Sequence, residues 1–258
     1  MRAIILAAGQ GNRLRPLTAK LPKSMVPLFG KTLLQRQIKT LRKMGIDEIS
    51  IVVGHYGNLI KGDRINVVKN HAFARTNMVT SLFCASDKFD GKMDVIISYG
   101  DIVYEARVLE ALFSCEASVC IAADLNWKNY WEVRLENPLS DAETFKTDSS
   151  GYVKELGKKP SGYNEIEAQY MGLIKVKADS HLPLVEHYNS LDKLSDYDGK
   201  DFDNMYMTSF IQGLIDSNWE VRPAFIKGGW LEVDTLEDLE TYEILDKEGL
   251  LSNFYNRN

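Results

Sequence analysis

The apolar positions divide the chain into short continuous runs and longer periodic segments. Ala3-Ile4-Ile5-Leu6, Ile49-Ser50-Ile51-Val52-Val53, Ile65-Asn66-Val67-Val68 and Val95-Ile96-Ile97-Ser98 are apolar at nearly every position. Runs of this length without strict alternation predict strands covered on both faces. Between the first two, Leu34, Ile38, Leu41 and Met44 recur at helical spacing, and Gly45 closes the segment. A second helix is predicted over 77–89 with Asn77 as a plausible N-cap, and part of a third over 109–113. Residues 117–122 read as another strand. Strands alternating with helices predict an α/β fold with a Rossmann-like, doubly wound, mostly parallel sheet. Ligands of such sheets sit beyond the C-terminal strand ends.

The pattern changes after Trp127. Segments 132–135, 151–156 and 169–176 read as strands, separated by turns rich in Asn, Asp, Ser and Gly. They predict an inserted antiparallel substrate lobe over the crevice, or alternatively a surface decoration. The polar stretch 193–201 reads as a mobile loop. A helix over 203–215, a strand over 220–226 and a helix over 235–246 complete the pattern. The expected organisation is a nucleotide-binding core (1–126), an inserted β-rich lobe (127–178) and a completing segment (179–258).

Composition narrows the class. The 258 residues are 45% apolar, which suits one large α/β domain. No stretch approaches the ~20 apolar residues of a membrane span, and the N-terminus does not read as a signal peptide. A net charge of −5 argues against a general nucleic-acid binder. Cys84, Cys115 and Cys120 lack metal-ligand spacing; Cys115 and Cys120 read as reduced, partly buried thiols of a cytoplasmic protein.

Against this background the first thirty residues stand out. The strand ending at Leu6 runs into Ala7-Ala8-Gly9-Gln10-Gly11-Asn12-Arg13, and Arg13, Arg15, Lys20, Lys23 and Lys31 follow with no acidic residue among them. Small residues let a phosphate approach the backbone, and Gly accepts the positive φ that gathers N–H groups into one concavity. This predicts a polyphosphate site at the end of the first strand. It is not a dinucleotide fingerprint, because Leu14 stands where the third small residue is needed. Gly30-Lys31-Thr32 is not a Walker A end, because Met25 occupies the first glycine position; it reads as a turn and helix entry.

The stretch Leu6 to Thr18, with Pro22-Lys23-Ser24-Met25 and Gly30-Lys31-Thr32-Leu33-Leu34, resembles the signature of nucleotidyltransferases that make nucleoside-diphosphate sugars and related activated molecules. Gly100-Asp101, Lys158-Lys159-Pro160 (with Lys158 where Glu is usual), Tyr170-Met171-Gly172-Leu173 and Trp230-Leu231-Glu232-Val233-Asp234-Thr235-Leu236-Glu237-Asp238-Leu239 resemble its later elements. The length, the segment Lys69 to Leu82 and Tyr130-Trp131 resemble the short CTP-using branch of choline-phosphate cytidylyltransferase. Its relatives activate 2-aminoethylphosphonate or glutamine phosphate.

The resemblance implies in-line attack of a phosphate or phosphonate oxygen on the α-phosphorus of CTP, for cell-surface or capsule modification. It assigns Arg13 and Lys23 to catalysis. It assigns Leu6, Ala7, Ala8, Gly9, Gln10, Gly11, Asn77, Ser81 and Gly100 to the nucleotide, although Asn77 also reads as a plain helix cap. Asp101 and Asp234 would hold Mg²⁺, which takes hard oxygen ligands. Thr235 with Asp238 can cap the last helix and leave Asp234 free. Tyr130, Trp131, Arg134, Lys159 and Asp203 are the acceptor candidates, with Trp131 alternatively lobe core. The expected partners are CTP and a small phosphorylated or phosphonate acceptor, with no nucleic acid and no membrane, in a monomer or homodimer. The alternatives are a sugar-1-phosphate nucleotidyltransferase using UTP, dTTP or GTP, and a non-catalytic nucleotide-sensing module.

Overall fold

The computed structural model describes residues 1–257. In chain order its strands and helices are β1 (Arg2–Ala7), β2 (Pro27–Leu28), β3 (Lys31–Thr32), α1 (Leu33–Lys43), β4 (Glu48–Val53), β5 (Ile65–Lys69), α2 (Met78–Phe83), β6 (Val95–Tyr99), β7 (Ile102–Tyr104), α3 (Ala106–Phe113), β8 (Val119–Asp124), α4 (Trp127–Arg134), β9 (Phe145–Thr147), β10 (Val153–Leu156), β11 (Gln169–Val176), α5 (His181–Ser190), α6 (Met207–Asp216), β12 (Val221–Ile226), β13 (Trp230–Glu232) and α7 (Leu236–Lys247).

Seven strands form the central sheet in the order β12-β8-β11-β6-β1-β4-β5. β1 lies parallel to β4 and β6, β4 to β5, and β8 to β12. Only β11 runs antiparallel, to β6 on one side and β8 on the other. Pleating sends alternate residues of β1 to opposite faces. Ala3, Ile5 and Ala7 join the core beneath α1, α3 and α7, while Ile4 and Leu6 join the core beneath α2, α5 and α6. Covering both faces explains the nearly continuous apolar runs of β1, β4 and β6; β5, expected as a buried strand, instead lies at the sheet edge with Asn66, Val67 and Lys69 exposed.

Two readings of the middle segment are corrected. Residues 132–135 are not a strand: Trp127–Arg134 form α4. Trp127, Tyr130, Trp131 and Arg134 fall at helical spacing and lie on one buried face, Arg134 with a side chain only 5% exposed. Residues 169–176 do form a strand, but it belongs to the central sheet, where Met171, Leu173, Ile174 and Val176 are buried. The antiparallel insertion is thereby confined to the β9–β10 pair and its connections. Cys115 and Cys120 are free and buried.

The register of β11 against β8 shifts between Tyr170 and Ile174, around Gly172 at φ +86°. A Cβ at Gly172 would stand 2.6 Å from Tyr99 Cδ2. Left-handed backbone alone costs a non-glycine residue ~1–2 kcal/mol, and the Tyr99 ring would have to move as well. Gly172→Ala is therefore expected to destabilise the protein by about 2 kcal/mol or more in urea titration. A loss below about 0.5 kcal/mol would contradict this account.

Candidate active site

The opening loop leaves β1 at Ala7 and turns at Gly11, which is left-handed at φ 62°. A Cβ there would meet Lys23 Cβ and Thr18 Cγ2 at 3.0 Å, so the turn is packed directly against the segment that carries Lys23. Gly100, after β6, donates its N–H to Leu6 O at 2.9 Å. An added Cβ at Gly100 would come within 2.6 Å of the same oxygen. These two glycines bring the ends of β1 and β6 close enough for Lys23 and Asp101 to meet.

Asp234 arrives from the other side. Thr235 caps α7 by accepting the Asp238 N–H, and Asp238 Oδ2 in turn accepts the Thr235 N–H. Asp234 is thus free of capping duty, as its neighbours' spacing allows. Lys23 Nζ lies 2.7 Å from Asp101 Oδ2 and 2.7 Å from Asp234 Oδ1. Arg13 reaches Asp234 Oδ2 at 2.5 Å from an exposed position. Burial pulls the Lys23 ammonium down, but Asp101, Asp234 and Glu232 outweigh it and raise it above its ordinary value. Lys23 is a fixed charge throughout the physiological range.

A cavity of about 320 Å³ opens over this cluster, lined among others by Gly9, Gly11, Arg13, Lys23, Asp101 and Asp234. A smaller recess of about 60 Å³ adjoins it, with Leu6, Gly9, Asn77 and Met78 in both walls and Ala8 and Ser81 at its back. Leu6, Ala7, Ala8, Gly9, Gly11, Asn77, Ser81 and Gly100 line one or both; Gln10 lines neither. Asn77 is both cap and wall, since its Oδ1 accepts the Met78 N–H at 2.8 Å.

The two carboxylates converge on one point and offer hard oxygens. Asp101 Oδ1 is buried without a hydrogen-bond partner, an orphan that a cation can satisfy. Among the described residues no third His, Cys, Asp or Glu joins them. Asp101 and Asp234 therefore fit a divalent ion whose remaining ligands come from phosphate and water.

A third cavity, of about 180 Å³, continues from the first; Met78 and Tyr99 belong to both. Trp131, Asp141, Glu143, Tyr170, Tyr206 and Glu232 line it, with Gln169, Thr208 and Trp230, and no Lys, Arg or His does. Trp131 Nε1 holds Asp141 Oδ2 at 3.1 Å. Burial first, then Asp141, Asp198 and Glu232, push the Glu143 carboxyl up to about 7. Sequence reasoning missed Tyr99, Asp141, Glu143 and Glu232. Glu232 stood inside the closing motif without a role, and nothing local marks Glu143.

Four of the acceptor candidates stand elsewhere. Tyr130 is 1% exposed, with its hydroxyl 2.5 Å from Tyr242 Oη and accepting the Glu232 N–H at 2.8 Å. Arg134 stacks over the Tyr130 and Trp131 rings at 5.3 and 5.7 Å, so the chain's own guanidinium fills the cation–π position. Lys159 donates to the Leu139 and Ser140 carbonyls and lines none of the three cavities. Asp203 is exposed on the rim and meets Asn77 and Thr80 through its backbone carbonyl.

Arg134 instead holds the floor. Its fork donates to Asp238 Oδ1 at 2.8 Å and Oδ2 at 3.1 Å, and to Glu232 Oε2 at 2.8 Å. Asp238 Oδ2 also accepts the Asp234 N–H at 2.8 Å. Arg134 is thus a positioning residue two bonds from Asp234. Breaking a buried pair on one side costs ~3–5 kcal/mol. Arg134→Ala should destabilise the protein by that order. Arg134→Lys, which keeps charge but not the fork, should leave it folded while lowering kcat at least tenfold, with KM for the nucleotide changed less than threefold. An unchanged kcat in the folded Lys variant would remove the positioning role.

The profile of the MobA-like NTP transferase domain family matches residues 3–200. CTP:phosphoglutamine cytidylyltransferase of Campylobacter jejuni is 42% identical over 249 residues, 93% of this chain and 98% of that protein. Choline-phosphate cytidylyltransferase of Streptococcus pneumoniae is 38% identical over 92 residues, 34% of this chain and 40% of that protein. The structure of CTP:phosphocholine cytidylyltransferase from the same species superposes with a TM-score of 0.68 at 19% identity, covering 95% of this chain and 98% of that one. The inositol-1-phosphate CTP transferase of T. maritima superposes at 0.71 and 18% identity, covering 99% and 97%. At such identities the superpositions speak for the fold, and they agree with the α/β sheet described above. Sequence, fold and site converge: the chain belongs to the MobA-like NTP transferase family and is a nucleotidyltransferase of the cytidylyltransferase type.

Proposed function

We propose that the chain transfers a cytidylyl group from CTP, with Mg²⁺, to a small phosphorylated acceptor that also carries an ammonium group, of the phosphoglutamine type. The observation that carries this reading is the junction of the two cavities at Met78 and Tyr99. One side carries Arg13 and Lys23, whose carboxylate partners Asp101 and Asp234 a bound metal would take over; the other carries Asp141 and Glu143, with Glu232 held by Arg134 and no cation among its walls. An acceptor with a phosphate at one end and an ammonium at the other matches both in one orientation. A neutral hexose would bring no cation to Glu143, the one carboxylate of this cavity that neither Arg134 nor Trp131 engages, which disfavours the sugar-1-phosphate reading. Relatedness to the C. jejuni enzyme supports phosphoglutamine, while the charge match by itself favours acceptors whose only other charge is an ammonium, such as phosphocholine and 2-aminoethylphosphonate.

In the reaction an acceptor phosphate oxygen attacks the α-phosphorus of CTP. The new P–O bond forms as the bond to the β-phosphate oxygen breaks, and pyrophosphate leaves with its electron pair. Asp101 and Asp234 would hold the Mg²⁺, which when bound would neutralise charge on the phosphates. Lys23, buried and fixed in charge, steadies the transferring group, and the forked guanidinium of Arg13 holds the leaving pyrophosphate. No side chain has to act as nucleophile. The CDP-activated product suits cell-surface or capsule modification, and the free thiols suit the cytoplasm. No described helix is long and apolar enough to cross a membrane.

Pyrophosphate release should be fastest with CTP among the four NTPs. It should be faster with phosphoglutamine, phosphocholine or 2-aminoethylphosphonate than with any hexose 1-phosphate. Turnover with hexose phosphates alone would overturn the reading. Lys23→Ala and Asp101→Ala should each reduce turnover by ~10³ or more in a folded protein; near-normal rates in either would refute the assigned roles.

Glu143 adds a pH signature. Above pH 7 it is ionised and attracts the acceptor's ammonium, so KM for the acceptor should fall as pH rises from 6 to 8. Because its folded value lies above the ordinary 4.5, its own contribution to the free protein's stability is present below that value and is lost as pH rises through 7. Glu143→Gln should raise the acceptor KM at pH 8 and flatten the profile. A profile of unchanged shape in that variant would exclude Glu143 from the acceptor site.

A further inference from the structure

A cavity of about 400 Å³ lies along another face of α1 and shares no lining residue with the catalytic cavity. Its walls carry Lys31, Arg36, Lys39, Lys43, Arg107 and Arg257 against a single carboxylate, Glu105. Arg36, Lys39, Thr40 and Lys43 repeat at helical spacing, so α1 aligns three cations on one stripe. Glu105 is already engaged. Its Oε2 accepts from Arg107 Nε at 3.0 Å, and its Oε1 from the backbone and side-chain amides of Asn256 at 2.8 and 3.2 Å. Arg257 pairs with Asp246 at 2.7 Å.

Arg36 is only 8% exposed, yet its guanidinium donates to three carbonyls, of Leu28, Phe29 and Arg257, at 2.8, 2.9 and 3.4 Å. Among the described residues neither Arg36 nor Lys31, Lys39 or Lys43 forms an ion pair, although the whole chain is acidic at −5. Like charges gathered around a concave wall focus an anion and are relieved by it. Nothing in nucleotidyl transfer at Asp101 and Asp234 uses these cations.

We infer that this cavity is a second anion site, taking a phosphate-bearing polyanion, and that its occupancy is felt at the catalytic aspartates. Forked guanidiniums and ammonium point charges suit phosphate oxygens. The link to the catalytic site runs through α1. Thr40, which lines the cavity, donates its hydroxyl to Tyr104 O at 3.2 Å. One turn earlier Gln37 Nε2 donates to Tyr99 O at 2.9 Å and Ile102 O at 2.7 Å, bracketing Asp101. Strand β7, which follows Asp101, pairs with β13, and the Val233 N–H bonds Asp101 O at 2.9 Å beside Asp234. An anion that draws the cations of α1 together therefore acts on the strand pair that sets both aspartates.

The test uses inorganic tripolyphosphate in calorimetric titrations, without metal and at constant ionic strength. The wild type should bind it at two sites. Arg13→Ala should weaken the catalytic one and keep the other. Lys39→Glu with Lys43→Glu, both exposed and remote from catalysis, should weaken the α1 site at least tenfold and spare the catalytic one. A single site in the wild type, lost with Arg13→Ala, would overturn the proposal. In steady-state kinetics at saturating CTP, tripolyphosphate should still change kcat of the wild type and not of the double variant; purely competitive behaviour in both would overturn the coupling. Pyrophosphate and CTP titrated into Arg13→Ala separate the sources. Equal affinity would mean that phosphate alone is read, tighter CTP that a nucleotide is read, and no binding of either would overturn the site. The binding arms need no acceptor and no turnover, so their failure leaves cytidylyl transfer untouched.

Discussion

The structure of the site depends on one ammonium group held by two carboxylates. Asp101 and Asp234 lie 78 and 211 residues from Lys23 and repel one another when brought together. Lys23 makes their approach tolerable, and Arg13 takes the outer oxygen of Asp234. The rest of the architecture keeps this knot in register. Gly11 lets the Lys23 segment lie against the opening turn, Gly100 brings β6 onto the end of β1, and the Thr235–Asp238 cap aims Asp234 inward. A bound polyphosphate and metal would redistribute the same charges, with phosphates taking Lys23 and Arg13 and the carboxylates turning to the metal. That exchange of partners would accompany binding, so the charges would already be in place when the chemical step begins.

Much of this was legible in the sequence because its causes are local. A turn that needs Gly11, cations that follow within a few residues and a capping pair three residues apart are written in consecutive positions. The acceptor side is different. Reading 132–135 as a strand put Tyr130, Trp131 and Arg134 on the wall of a lobe. Helical spacing of Trp127, Tyr130, Trp131 and Arg134 was the signal that places them on one buried face. The carboxylate partners of Arg134, Glu232 and Asp238, come from about a hundred residues away, and no local pattern announces them. Likewise the apolar run of β11 marked a buried strand, but its antiparallel insertion into a parallel sheet follows from a chain crossover with no sequence period.

The distribution of charge explains what net charge conceals. A chain of −5 contains one basic cavity wall at α1, one cavity in which Arg13 and Lys23 face Asp101 and Asp234, and one cavity whose charged lining is acidic. At the acidic cavity Trp131 supplies its indole N–H to Asp141, while Tyr130, adjacent in sequence, serves the core.

The first and third cavities meet at Met78 and Tyr99, so on the proposed reading the acceptor would be read by sign at both ends. Its phosphate would be drawn toward Lys23 and Arg13 and repelled from Asp141 and Glu143, while an ammonium would experience the reverse; Glu232 is already held by Arg134. In the reversed orientation like charges would face each other at both ends, and near the buried carboxylates that repulsion is screened less than in water. Orientation is thereby selected as much by exclusion as by attraction. In-line transfer needs the acceptor oxygen behind the α-phosphorus in one pose. On that reading the differing charges of the two cavities would enforce the pose without any side chain touching the reacting oxygen.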